Sequence, residues 1–127
     1  MANSRTGINI WCCFLVMFVG LMRAAEALCV NMAFNPATDL IRAHVVFVPE
    51  HKTPPGYCIV HMVKKKTNGK GNDRHFKRTP LIFKYNAAAV VNPCRELLWM
   101  YTEGDPVPAS KLPGTPLFRD TRTGSPL

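Results

Sequence analysis

The sequence is poor in acidic residues and lacks the motifs that mark common enzyme classes. It has 8 Asp and Glu against 16 Lys and Arg, which gives a formal net charge of +8 over 127 residues. It contains no glycine-rich phosphate loop, no paired-carboxylate motif, no Gly-x-Ser-x-Gly motif and no internal repeat. Its histidines lack the close spacing of metal ligands: they are His44, His51, His61 and His75. We therefore expect no enzyme, no catalytic residue and no cofactor.

The length and the charge balance narrow the remaining classes. A chain of 127 residues holds one domain at most. The excess of positive charge favours acidic partners, which include sulfated polysaccharide, nucleic acid and anionic membrane surfaces. The 11 prolines and 8 glycines favour strands and turns over long helices.

The apolar run near the start of the sequence is short for a membrane span. Ile8–Met22 is uncharged and almost wholly apolar, but as a helix it would measure about 22 Å, less than the ~30 Å hydrocarbon core. Arg5 before the run, and the small residues Ala25 and Ala27 after it, complete the pattern of a secretory signal. We predict that residues 1–27 are a signal peptide cleaved after Ala27 and that the protein is secreted. A membrane anchor is the alternative.

Cleavage at this point would leave three cysteines, Cys29, Cys58 and Cys94. Because the secretory route is oxidising, one intramolecular disulfide and one spare thiol are expected, and their assignment is open. Cleavage also removes two basic residues and one acidic residue, which lowers the formal net charge from +8 to +7.

Three segments have the composition of β-strands: Leu40–Val48, Tyr57–Val63 and Thr79–Tyr85. Lys64–Arg78, between the last two, contains Asn68-Gly69 and predicts a basic hairpin turn. Arg95–Thr102 predicts a fourth strand or a helical turn, and its aromatic residues favour the strand. Residues 106–127 are rich in proline and predict an irregular, mostly exposed tail. The fold class that follows is all-β, a small antiparallel and possibly incomplete barrel over residues 28–105.

Two parts of the chain carry a resemblance to a known family. Ala33-Phe34 precedes Leu40–Val46, which reads LIRAHVV, and Leu81–Tyr85 reads LIFKY ahead of a small-residue segment and Cys94. This order resembles the N-terminal domain of the tissue inhibitors of metalloproteinases, a netrin-like OB-fold module. The resemblance covers roughly residues 29–105 and lacks most of the family's cysteines. Of the family's three disulfides, only the one between Cys29 and Cys94 has both of its cysteines here.

The resemblance implies an inhibitor of an extracellular, zinc-dependent metalloproteinase and no nucleic-acid partner. The amine and carbonyl of an N-terminal Cys29 would chelate the protease's zinc, and a Cys29–Cys94 disulfide would hold that residue in place. Val30 would enter the specificity pocket, and Asn92 and Pro93 would form the neighbouring contact. This activity requires cleavage directly before Cys29, one residue later than the signal pattern predicts.

The densest charge cluster offers a different function. Seven cations fall within Lys64–Arg78, and they indicate a site for heparan sulfate or another polyanion of the extracellular matrix, with a solvated loop as the alternative. These residues are Lys64, Lys65, Lys66, Lys70, Arg74, Lys77 and Arg78. A diverged relative that folds poorly is the third possibility.

Overall fold

The computed structural model describes residues 5–20, 34–36, 39–67 and 74–127, and of residues 63–67 and 74–78 it describes the backbone alone. The main elements in these residues are helix α1 (Arg5–Gly20), strands β1 (Val45–Val48), β2 (Tyr57–Thr67) and β3 (Arg74–Lys84), and helix α2 (Pro93–Trp99). Short 3-10 helices lie at Arg42–His44 and Ala109–Gly114, and a π-helical turn at Met100–Gly104 continues from α2.

The three strands form one antiparallel sheet in the order β1-β2-β3. Strand β1 pairs with β2 from Val45 opposite Val60 to Val48 opposite Tyr57. Beyond Val60, β2 and β3 continue alone as a two-stranded ribbon of seven residue pairs, which ends with Thr67 opposite Arg74. We call residues 61–67 and 74–80 the ribbon. Its cations are therefore carried on strands, where the sequence analysis had placed a turn.

The core lies on one face of the sheet, against helices α1 and α2. Alternate residues of β2 are buried, as the two-residue period of a strand requires, and Phe83 on β3 joins them. Leu97 and Met100 from the α2 region and Cys12 and Val16 from α1 complete this core. On the opposite face Ile82 is 60% exposed, so that face has no covering layer in the described part of the chain.

The predicted all-β class is not what the structure shows, because the second half of the chain forms a helix where a strand was favoured. The start of α2 explains the difference. The Asn92 side chain accepts a hydrogen bond from the Arg95 N–H at 3.2 Å, and Pro93 occupies the first turn. Both are strong helix-start signals, and they outweigh the β propensity of Trp99 and Tyr101.

The antiparallel sheet is present as predicted, but the described residues do not form the small, possibly incomplete barrel that was expected. The first predicted strand, Leu40–Val48, shortens to the four residues of β1, because Arg42–His44 form a 3-10 helix. Three strands are far fewer than a barrel needs to close around a filled interior.

The proline-rich C-terminal segment packs partly against the residues around Leu40 and Arg42. Arg42 N–H donates to the Thr115 carbonyl at 2.9 Å, and Leu117 N–H donates to the Leu40 carbonyl at 3.1 Å. Leu117 and Phe118 are buried as a result. This segment carries a 3-10 helix as well as irregular chain, and its apolar residues supply one side of the core.

The segment predicted as the core of a signal peptide forms helix α1 and packs against α2 and the turn after it. Gly104 allows the close approach, because a Cβ there would lie 3.0 Å from an Ile8 methyl group. Among the described residues, no helix is both long enough and apolar enough to cross a membrane. Cleavage after Ala27 stays a prediction, since residues 21–33 lie outside the described chain.

Candidate functional site

The residues predicted for protease binding divide into two groups. Cys29 and Val30 lie outside the described residues. Asn92, Pro93 and Cys94 lie at the start of α2 and are buried. The Asn92 side chain is fully used within the chain, because it caps α2 and also donates to the Asn86 carbonyl at 2.6 Å. These three residues therefore present no surface to a partner in this structure.

Six of the seven predicted polyanion-binding residues lie on the ribbon, and Lys70 lies outside the described residues. The backbone register places Lys64 opposite Lys77, Val63 opposite Arg78 and Thr67 opposite Arg74. At about 3.3 Å per residue, the five pairs that end with Thr67 and Arg74 span about 13 Å of strand. The sheet thus concentrates six cations in a short length of two-stranded ribbon. They are Lys64, Lys65, Lys66, Arg74, Lys77 and Arg78.

The chain supplies little negative charge near the ribbon in sequence. Between Glu50 and Glu96 the single acidic residue is Asp73. Several acids of the C-terminal half are paired with arginines of the body. Asp105 pairs with Arg42 and Arg119, Glu96 with Arg95, and Asp120 with Arg122.

The topology leaves the ribbon without a third strand in the described part of the chain. Strand β1 ends its pairing at Val60, so His61 and later residues of β2 pair with β3 alone. A two-stranded ribbon is marginally stable by itself in water. A bound partner that neutralises its charge would stabilise it.

No protein-family model, no curated protein and no solved structure matches this chain.

A buried ionic cluster joins α1 to the C-terminal half, and sequence analysis did not find it. The Arg42 guanidinium is 1% exposed and lies 2.6 Å from an Asp105 carboxylate oxygen. Arg119 makes two hydrogen bonds to the same carboxylate, at 2.6 and 2.9 Å. Asn9 of α1 donates to Asp105 at 3.0 Å and accepts from Arg42 at 3.0 Å. We call Asn9, Arg42, Asp105 and Arg119 the ionic cluster.

The side chains of Asp105 and Arg42 stay ionised in the ionic cluster. Burial alone would raise the pKa of Asp105, but hydrogen bonds from Arg119 and Asn9 and the charges of Arg42 and Arg119 lower this pKa to about 2. Burial lowers the pKa of Arg42, and the facing Tyr101 and Asp105 counteract that effect. Its role is therefore structural: it fixes α1 against the C-terminal segment.

A pair of buried thiols lies between the sheet and α2. Cys58 on β2 and Cys94 on α2 are both fully buried and belong to the same core. The neighbouring Cys94 and burial raise the pKa of Cys58, and the neighbouring Cys58 lowers the pKa of Cys94. Cys94 is a free thiol in this structure. The predicted Cys29–Cys94 disulfide has its other cysteine outside the described residues.

Two further features show little capacity for chemistry. An apolar cavity of about 230 Å³ lies between α1 and the C-terminus, lined by Ile10, Cys13, Phe14, Met17 and Leu127. It has no polar lining side chain that could orient a ligand. In the described part of the chain, no three His, Cys, Asp or Glu residues lie close enough together to hold a metal ion.

Proposed function

We propose that the ribbon binds a sulfated glycosaminoglycan of the heparan sulfate type, and that the protein acts as a secreted basic binding module. The observation that carries this proposal is the register of β2 and β3, which gathers six cations on five consecutive residue pairs. The single acidic residue in this part of the sequence, Asp73, cannot balance them.

The register also supplies a driving force for binding. Like charges directly opposite each other on antiparallel strands destabilise the pairing, and the backbone places Lys64 opposite Lys77. A linear polyanion along the ribbon would replace this repulsion with attraction. It would also release the counterions of both partners, so the affinity would depend strongly on salt.

The secreted location in this proposal rests on the signal pattern of residues 1–27. The ribbon itself is remote in sequence from that segment, so removal of the segment would take none of the binding cations. The sheet that holds β2 and β3 in register also lies outside that segment.

Metalloproteinase inhibition rests on the family resemblance alone. Of its contact residues, Cys29 and Val30 lie outside the described chain, and Asn92 and Pro93 are buried. N-terminal sequencing of the secreted protein tests it most cheaply. A mature chain that begins at Leu28 would have no free Cys29 amine to chelate zinc, whereas one that begins at Cys29 would supply that amine.

The binding proposal is tested by a matched pair of variants on a heparin column. One variant carries Lys64→Gln, Lys66→Gln and Lys77→Gln on the ribbon. The control carries Lys52→Gln, Lys84→Gln and Lys111→Gln at exposed positions outside it. Both lose three positive charges, so they differ only in where those charges lie.

We expect the wild type to elute well above physiological salt, the control to elute slightly earlier and the ribbon variant to elute much earlier. Equal shifts in the two variants would show that net charge alone governs retention, and would contradict a site on the ribbon. Elution of the wild type at or below physiological salt would overturn the proposal. Tighter binding to single-stranded DNA than to heparin at equal salt would show that the class of ligand is wrong.

A further inference from the structure

Helix α1 presents an apolar stripe on the side that faces away from the core. Trp11, Phe14 and Phe18 follow each other at steps of three and four residues, so they share one side of the helix. They are 52%, 64% and 80% exposed. Ile10 lies beside them, and both Ile10 and Phe14 line the apolar cavity next to Leu127. We call Ile10, Trp11, Phe14 and Phe18 the apolar stripe.

The opposite side of α1 is fixed to the rest of the protein by buried polar contacts. Asn9 is fully buried, donates to Asp105 at 3.0 Å and accepts from the Arg119 N–H at 3.1 Å. The Thr6 hydroxyl accepts from the Thr121 N–H at 2.9 Å. Because these groups cannot enter hydrocarbon without a large cost in free energy, α1 cannot sink into a bilayer. It can lie on a surface, with the apolar stripe outward.

The charges around the apolar stripe fit an anionic surface. Arg5 and Arg23 stand on either side of Ile8–Met22, and the first acidic residue of the sequence is Glu26. The whole chain has a formal net charge of +8. An amphipathic helix with exposed aromatic side chains and nearby cations is the combination that binds anionic bilayers at their interface. A second copy of this chain would bring another +8 to the same contact, which opposes self-association through the stripe.

We propose that α1 stays on the mature protein and that the apolar stripe docks on the surface of an anionic lipid bilayer. The helix would lie parallel to the membrane, with its apolar side about 5–10 Å into the boundary between headgroups and acyl chains. This inference goes beyond polyanion binding, because the stripe and the ribbon are separate segments. Retention of α1 and cleavage after Ala27 exclude each other, so the first residue of the mature chain is part of the test.

Vesicle flotation of the full chain tests the proposal. Vesicles of phosphatidylcholine alone are compared with vesicles of phosphatidylcholine and phosphatidylserine in equal amounts. The stripe variant carries Phe14→Ser and Phe18→Ser. The control variant carries Val90→Ser and Val91→Ser, which also removes two exposed apolar side chains, but outside α1. Urea midpoints equal to that of the wild type show that both variants are folded.

We expect the wild type and the control variant to float with the phosphatidylserine vesicles and to dissociate as salt is raised. The partition coefficient of the stripe variant should fall by about tenfold or more, because two large apolar side chains no longer enter the interface. Its elution from heparin should stay that of the wild type. Loss of vesicle binding and loss of heparin binding are therefore separate results, and the two proposals fail independently.

The fluorescence of Trp11 gives a second readout of the same contact. The sequence has two tryptophans, so Trp99→Phe leaves Trp11 as the single emitter. We expect its emission to shift to shorter wavelength with phosphatidylserine vesicles and to stay unchanged with phosphatidylcholine alone.

Four results would overturn the proposal. The first is an unchanged Trp11 emission together with no flotation, and the second is equal binding to both kinds of vesicle. The third is a dimer that the stripe variant loses, without vesicle binding, which would make a second copy the occupant of the stripe. The fourth is a mature chain that begins at Leu28 when the protein is isolated from the cells that produce it.

Discussion

At the scale of single residues, Arg42 shows how a buried charge is accommodated in this molecule. Its guanidinium donates to the carbonyls of Leu117 and Asp105 at 3.0 and 2.7 Å, as well as to the Asp105 carboxylate and the Asn9 side chain. A buried ion of this kind is tolerated only when its donors are paired and its charge is balanced. Within the ionic cluster, loss of the counter-ion Asp105 should therefore lower the free energy of unfolding most.

Replacement of Asp105 by asparagine tests the ionic cluster. Asp105→Asn keeps the shape of the side chain but leaves the buried Arg42 guanidinium without its counter-ion. Loss of one partner of a buried pair costs about 3–5 kcal/mol of the free energy of unfolding. Urea unfolding followed by circular dichroism measures this loss as a lower midpoint. Asp120→Asn, which removes the ion pair with the 84% exposed Arg122, is the control and should change the midpoint little.

Acid should weaken the same cluster in a defined pH range. The pKa of Asp105 is about 2 in the folded protein against an ordinary value of 3.8. A lowered folded pKa means that the stabilisation is fully present above the unfolded value and is lost as pH falls toward the folded one. We expect Asp105 to account for a loss of about 2 kcal/mol between pH 5 and pH 2. Urea midpoints across this range measure the loss, and in Asp105→Asn this component should be absent.

Residue-level reasoning from the sequence could not have found the ionic cluster. Arg42 stands in an apolar segment, Leu40–Val48, that was predicted to form a strand. Its partner Asp105 is 63 positions later in the chain, at the end of the region predicted to form a barrel. A single charge in an apolar run indicates that a partner is needed, but the partner is chosen by the tertiary fold.

At the scale of elements, helix α1 has two apolar sides. Cys12 and Val16 face the core, while Trp11, Phe14 and Phe18 are exposed, with Phe18 at 80%. The 3.6-residue period separates the two sides. The buried side and Asn9 join α1 to the body, which is an unusual property for a segment with the composition of a signal peptide.

Removal of α1 tests whether the helix belongs to the folded unit. A chain that begins at Leu28 loses the burial of Leu15 and Val16, each worth about 1.5–3 kcal/mol, together with the Asn9 hydrogen bonds. We expect its thermal and urea midpoints to fall well below those of the full chain. Phe18→Ser, on the exposed side of the helix, is the control and should change neither midpoint. Equal midpoints for the two chain lengths would show that α1 contributes nothing to the stability of the folded unit.

Helix α2 was open to better prediction than helix α1. Asn92-Pro93 followed by Glu96 is a helix-start pattern that is visible in the sequence. The aromatic composition of Arg95–Thr102 was given more weight, and it favoured the wrong alternative. By contrast, the antiparallel pairing of β2 and β3 follows from the strand composition and the turn signal between them, although both strands continue four or five residues further into the basic segment.

At the scale of the whole molecule, the antiparallel order of three strands was predictable and the closure of the fold was not. Strand segments and the hairpin are encoded locally, by alternation and by Asn68-Gly69. The return of the C-terminal segment, which places Leu117 beside Leu40, is a long-range event that a proline-rich composition conceals. Helices α1 and α2, rather than further strands, therefore cover the core face of the sheet.

Charge is divided unevenly over the molecule, and this division underlies the proposed function. Outside the ribbon, Asp105, Asp120 and Glu96 are paired with arginines. The ribbon carries six cations in two short stretches of strand. This group of cations was predictable from the sequence, since its members lie close together within Lys64–Arg78. Its arrangement as opposed residue pairs needed the sheet register.

A backbone amide NMR titration of the ¹⁵N-labelled protein with a size-defined heparin oligosaccharide tests directly whether the ribbon binds a sulfated polysaccharide. We expect the largest shift changes to fall on residues 63–78 and to weaken as salt is raised. Small changes should appear in Pro93–Trp99, which carries no residue of the ribbon. Changes centred on Arg95, Arg119 or Arg122 instead, with residues 63–78 unmoved, would contradict a binding site on the ribbon.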